Sequence, residues 1–317
     1  MMFSTRRSLI RALCLFSLAV SSGALAQDCS RTIPVNVLTP ETRQALLFSP
    51  ESLHATVKGN PVTISRREKL HGNRILVLVD TSGSMVDKMP FARDALQVLI
   101  ENIPSGSSIA YGFFDKQPHL SGGFTSDRKE LIKDLEQLRT HKAYGQTALL
   151  DTIHEGLKLF NSVNPGDSVL LITDGGENHS HVRESAITKE LRDSGVRAFS
   201  IMLLVDNGRD FTAEEEPGPR WLRQTAEETG GGVLTIYHNW PTLDRKWLLQ
   251  VAALVQNFWV EGVAGGYLLT VELPPNLTKP ARWNLRLDPS GDKRLKNATI
   301  IYPQKLLPCT ATAASVH

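Results

Sequence analysis

Five aliphatic residues, Ile75-Leu76-Val77-Leu78-Val79, run without a polar break into Asp80 and then into Thr81-Ser82-Gly83-Ser84-Met85. An apolar run of this length reads as a strand covered on both faces, which calls for a parallel sheet sandwiched between helices. The acid and the two serines stand at the C-terminal end of that strand, where open α/β sheets take their ligands. Asp80-x-Ser82-x-Ser84 therefore puts three oxygen-bearing side chains on one short loop, half of a hard-cation site.

From residue 71 to residue 260 the pattern alternates between strands and amphipathic helices. Phe91, Ala95, Val98, Leu99 and Ile103 keep helical spacing after the opening strand, and Ser108 to Phe114 reads as the next strand. Leu131, Leu135 and Leu138 mark one helix, and Leu150, Ile153, Leu157 and Phe160 another. Ser168 to Thr173 is a second apolar strand, and it too ends in an acid, Asp174. Helices near 183–194 and 219–229 alternate with strands at 198–205 and 233–237, and a last helix covers 243–258. Alternation of this kind predicts an α/β fold, a doubly wound and mostly parallel sheet with helices on both faces.

The flanks are different. Residues 27–70 and 261–317 read as short strands separated by turns such as Lys58-Gly59-Asn60-Pro61 and Pro274-Pro275. The mature chain keeps only Cys29 and Cys309, one in each flank. A disulfide is the simplest pairing in an oxidising compartment, and two unpaired thiols are the alternative. Bridged termini predict that the two flanks form one small sandwich-like β domain beside the α/β domain.

Residues 1–26 read as an export signal. Arg6, Arg7 and Arg11 precede the apolar stretch Leu13–Val20, and Ala24-Leu25-Ala26 supplies the small-residue exit before Gln27. Thr5-Arg6-Arg7-Ser8-Leu9-Ile10 also resembles a twin-arginine signal, so either export route fits. The expected location is periplasmic or extracellular, with no transmembrane segment in the mature chain. Without those three arginines, 32 of the 35 basic residues face 33 acidic ones, a balance that gives nucleic-acid binding no electrostatic support.

Two later places supply oxygens to complete the half-site. Gly145-Gln146-Thr147 precedes a helix over 148–161, and Asp174 ends a strand before Gly175-Gly176-Glu177-Asn178. Parallel strands share one C-terminal edge, so both loops open where Asp80 does. Three hydroxyls and two carboxylates, with no Cys or His among them, match a hard divalent cation: Mg²⁺, with Mn²⁺ or Ca²⁺ as alternatives.

Asp80-x-Ser82-x-Ser84, Thr147 and Thr173-Asp174-Gly175, in that order, resemble the metal-ion-dependent adhesion site of von Willebrand factor type A (VWA) domains. The flanks are similar to those of bacterial secreted VWFA-related proteins. The resemblance implies a Rossmann-like VWA fold. It also implies that Ser82, Ser84 and Thr147 contact a cation, with Asp80 and Asp174 as the balancing acids. A Glu or Asp of a protein partner would complete the shell, and in some relatives the last helix moves. Gly145-Gln146-Thr147 departs from the family in one respect, since a second small residue often precedes the threonine.

The expected function is an exported, metal-dependent protein-binding module with no catalytic residue. A metal-assisted hydrolase is the rival, with Glu177 or His179 as its base. A structural domain with a vestigial site is the third reading. Thr147 taken alone suits a helix cap. His179-Ser180-His181 reads as a solvated loop, His154-Glu155 lacks the second histidine of a zinc protease helix, and the five tryptophans read as core and junction residues.

Overall fold

The computed structural model describes residues 29–40, 43–206, 217–240 and 244–309. The export signal read in residues 1–26 lies outside the described residues.

The chain begins with four short strands: β1 (Ser30–Leu38), β2 (Leu53–Val57), β3 (Asn60–Val62) and β4 (Ile64–Lys69). The central layer follows, as β5 (Arg74–Asp80), α1 (Met89–Glu101), β6 (Ser108–Phe114), β7 (Pro118–Leu120), α2 (Arg128–Thr140), α3 (Leu149–Leu157) and β8 (Ser168–Thr173). It continues through α4 (Glu184–Ser194), β9 (Arg197–Val205), α5 (Pro217–Thr229), β10 (Gly232–His238) and α6 (Arg245–Asn257). The chain closes with β11 (Tyr267–Glu272), β12 (Ala281–Leu287), β13 (Thr299–Ile301) and β14 (Lys305–Leu306).

The central sheet runs β10-β9-β8-β5-β6-β7, parallel except for the edge strand β7. Strand order reverses beside β5: β6 lies on one side, β8, β9 and β10 on the other. That is the topological switch point of a doubly wound sheet. The alternation of a strand decides the two cores. Ile75, Val77 and Val79 face α1, α2 and α6 through Leu96, Leu135 and Val255. Leu76 and Leu78 face α3, α4 and α5 through Leu149, Leu191 and Leu222. An aliphatic run with no polar position is what two apolar faces demand, and all five of these residues are fully buried.

The flanks form a second unit of two four-stranded sheets, β13-β1-β11-β4 and β14-β12-β2-β3. Each sheet takes strands from both ends of the chain. Val35 and Val37 of β1, Leu269 and Val271 of β11, Ala55 and Val57 of β2, and Trp283 and Leu285 of β12 fill the core between them. Cys29 and Cys309 are joined, with their Cα atoms 6.3 Å apart. The sequence reads Val62-Thr63-Ile64 as one return strand, but Val62 ends β3, which returns along β2, whereas Ile64 opens a separate strand beside β11, the edge strand β4. Its tail, Ser65-Arg66-Arg67-Glu68-Lys69, carries charges that suit an edge position and hide the strand from hydropathy.

The sandwich docks on the N-terminal edge of the central sheet. Arg197, the first residue of β9, is fully buried and donates through Nη1 to Asn36 Oδ1 on β1 (3.0 Å). Its Nη2 donates to the main-chain oxygens of Val263 (2.9 Å) and Gly166 (3.2 Å). Asn36 Nδ2 donates to the oxygens of Glu261 (2.7 Å) and Gly262 (3.2 Å) in the π-helical turn Phe258–Val263 after α6, and to that of Gly265 just beyond it (3.1 Å). Burial pulls the Arg197 guanidinium down to about 10, and the charge of Asp167 resists that fall.

Two predictions follow from this junction. Asn36→Ala removes the side-chain acceptor of a buried guanidinium, and is expected to cost about 3 kcal/mol in urea unfolding. Replacing Cys29 and Cys309 together by serine frees both termini, and is expected to cost about 2–4 kcal/mol in the same measurement under non-reducing conditions.

Candidate metal centre

Asp80 ends β5 at the switch point with no solvent contact. A carboxylate there needs donors, and the neighbouring backbone supplies them. Ser82 N donates to Asp80 Oδ1 (2.9 Å), and the Thr173 hydroxyl at the end of β8 donates to Oδ2 (2.7 Å). Thr173 Oγ1 accepts in turn from Gly175 N (2.9 Å). One acid thus ties the ends of β5 and β8 together.

The loop of residues 141–147 is fastened against the Asp80 loop. Tyr144 N donates to Thr81 O (3.0 Å), and Gly83 N donates to Gly145 O (3.0 Å). Gly145 takes a φ of +88°, a left-handed conformation that suits glycine. From the other side Thr147 N donates to Asn178 Oδ1 (2.9 Å), while Asn178 N and His179 N donate to Thr147 O (3.1 and 3.0 Å). Thr147 is therefore held by its backbone between the second and third loops.

Its hydroxyl is not the cap of α3. The first free amides of that helix are taken by the next loop: Leu150 N donates to Glu177 Oε2 (3.1 Å), and Leu150 N and Asp151 N donate to Ser180 Oγ (3.0 and 3.2 Å). The capping role that sequence suggested for Thr147 belongs to Glu177 and Ser180. Gln146 is exposed and does not crowd the centre.

Three oxygens meet around Gly176. A Cβ at this position would lie 3.3 Å from Asp174 Oδ1, 3.6 Å from Thr147 Oγ1 and 3.8 Å from Ser84 Oγ. Ser82 Oγ lies 3.2 Å from Ser84 Oγ, which joins the fourth oxygen to the set. A side chain at 176 would fill the cradle that these atoms face, so glycine keeps it open. Asp80 stands behind, and Ser82 and Thr147 are buried while Ser84 is exposed at the mouth. All five residues singled out from sequence thus lie on the three loops that close together at one edge of the sheet.

The donor set fits a hard cation. It is all oxygen, and three of its members are neutral hydroxyls. Among the described residues, no group of three or more His, Cys, Asp or Glu forms an alternative metal cluster. His181 Nδ1 is paired with Asp151 Oδ2 (2.9 Å), and His154 Nδ1 with Glu190 Oε2 (2.8 Å). Trp221 and Trp259 are buried, with ring N–H groups donating to Thr188 Oγ1 (2.9 Å) and Asn102 O (3.1 Å).

Sequence reasoning passed over Lys88. It closes the short helical turn Gly83–Lys88, and its Nζ donates to Asp174 Oδ2 (2.6 Å) and to Ser84 O (3.0 Å). The available signal was a basic residue one helical turn after Ser84. Asn178 was also missed: its side chain accepts from Thr147 N and its own amide donates to Thr147 O, a pairing between loops thirty-one positions apart that no local pattern signals.

Burial, and then the nearby charge of Asp174, push the Asp80 carboxyl up to about 7, although hydrogen bonds from Thr173 and Ser82 pull it down. A folded-state value above the ~3.9 of a free aspartate means that the folded chain binds the extra proton. The stabilisation is complete below that free value and is lost as pH rises through the folded one. In chelator, the stability of the chain relative to Asp80→Asn is expected to fall between about pH 4 and about pH 7, read as urea midpoints.

No curated protein sequence matches this chain. Among solved structures it is similar to a von Willebrand factor type A protein from Catenulispora acidiphila, at 15% identity over 88% of this chain and 72% of that one (TM-score 0.48). It is similar to the vWF domain of the type V pili tip protein Mfa5 from Porphyromonas gingivalis, at 13% identity over 60% of this chain and 95% of that one (TM-score 0.45). An aerotolerance-related membrane protein from Bacteroides fragilis matches at 18% identity over 59% of this chain and 98% of that one (TM-score 0.44). These likenesses say nothing about function. The family described as VWA domain containing CoxE-like protein matches residues 20–223, more than half of the chain. A match of that extent decides membership: the chain belongs to the VWA domain containing CoxE-like protein family.

Proposed function

We propose that this chain is an exported protein-interaction module that captures a partner's Asp or Glu through a divalent cation. The observation that carries the reading is the convergence of Ser84 Oγ, Thr147 Oγ1 and Asp174 Oδ1 on the open space beside Gly176. Ser82, Ser84 and Thr147 would hold the ion through hydroxyls, with Asp80 and Asp174 as its charge balance. Mg²⁺ suits a compact oxygen set, and Mn²⁺ or Ca²⁺ are the alternatives. Bound there, the ion supplies a Lewis-acid seat for one outside carboxylate oxygen.

The protein's own residues shape the approach to that seat. Ser84 opens to solvent, and exposed Val86 and Tyr144 stand on the same two loops. They offer apolar contact area around a polar centre, an arrangement suited to a protein partner. The sandwich occupies the opposite edge of the sheet and leaves this face clear.

Binding, rather than turnover, is supported by how the rival base is used. Glu177 Oε1 accepts from His179 N (3.0 Å) and Ser180 N (2.8 Å), and Oε2 accepts from Leu150 N (3.1 Å) and the Ser180 hydroxyl (2.7 Å). Both oxygens serve the loop and the start of α3. Export is supported by the Cys29–Cys309 bridge, which suits an oxidising compartment. No helix among the described residues is long and apolar enough to cross a membrane.

The test is a pull-down from the export compartment with the mature chain. Capture in Mg²⁺ is expected to fall at least about tenfold in chelator and in Ser82→Ala or Thr147→Ala, with unchanged circular dichroism. Capture that persists in chelator would falsify the reading. Calorimetry with Mg²⁺ on the same chain distinguishes a working centre from a vestigial one.

A further inference from the structure

Lys88 is the cation that this chain itself brings to the centre. Its side chain and that of Asp174 are 9% and 10% exposed. At the surface such a pair would be screened and worth little, but here water is largely excluded. The ammonium is fixed at both ends of its reach, by Asp174 Oδ2 (2.6 Å) and by the main-chain oxygen of Ser84 (3.0 Å).

The geometry divides Asp174 between two duties. Oδ2 is held by Lys88, while Oδ1 accepts from Gly176 N (3.1 Å) and faces the hydroxyls of Thr147 and Ser84. The lysine therefore does not fill the cradle beside Gly176. It neutralises one of the two acids from behind. Two carboxylates alone would cancel the charge of a divalent ion. Two carboxylates and an ammonium leave one formal positive charge on the loaded centre.

We propose that Lys88 sets the charge of this centre. It weakens the hold on the divalent cation and keeps the loaded centre positive, and so receptive to an outside carboxylate. This inference rests on the reading of the centre as a metal site. At these distances and this burial, a like charge counts for a large factor in affinity, well beyond what an exposed lysine would contribute.

The test is calorimetric titration of the full mature chain with Mn²⁺, and separately with Mg²⁺. The variants are Lys88→Gln, Lys88→Met and Lys88→Arg, each checked by circular dichroism. Gln keeps a donor for Asp174 and Ser84 but drops the charge, so it carries the test should Met fail to fold. Gln and Met are expected to bind the cation about tenfold tighter or more than the natural chain, and Arg to bind about as the natural chain does. Binding by the natural chain that is equal or weaker in Lys88→Gln overturns this inference and leaves the metal reading standing. No binding by the natural chain or by any variant overturns both.

Discussion

The carboxylate of Asp80 sits at the end of the central strand, out of reach of water, and much of the surrounding architecture answers that one constraint. A buried acid is tolerated only with donors or a counter-charge. Thr173 and the Ser82 amide supply donors, and in doing so they bind β8 to β5 and start the loop that carries Ser82 and Ser84. A second acid, Asp174, then raises the demand for positive charge. The hydroxyls of Ser84 and Thr147 gather where that demand is greatest.

The opposite edge of the sheet solves a different problem. There the sandwich must be held to the α/β layer without exposing backbone carbonyls at the junction. Asn36 and Arg197 do this with one fully buried, largely satisfied network that spans β1, β9 and the turn after α6. Lys305 adds a link from β14 to Glu228 of α5 (3.2 Å). Separating the two duties along the strands leaves the C-terminal edge free. A junction at one end and a binding face at the other is the arrangement that an open parallel sheet permits.

Much of this was legible in one dimension because its causes are local or periodic. Five aliphatic residues in a row admit only a doubly covered strand, and β5 spans them with every one buried. Ser108–Phe114 was read with its observed limits for the same reason. The edge strands β4 and β7 were not picked out individually from sequence, since charge and Pro mask an edge. At the centre, residue type and order picked out Asp80, Ser82, Ser84, Thr147 and Asp174. They did not separate a cap from a ligand at Thr147. That depended on Glu177 and Ser180, which reach the start of α3 from a loop some thirty positions further along the chain.

By itself, then, the amino-acid order determined the strand–helix alternation, the chemistry of the oxygen donors and the family likeness, because each is read from residue type, periodicity and order along the chain. Only the tertiary structure decided that Gly176 keeps the cradle open, that Lys88 shares Asp174 with the hydroxyl cluster, and that Asn36 receives Arg197. Those contacts join segments tens to well over a hundred residues apart. Distance and direction between such segments are properties of packing, and no local pattern carries them.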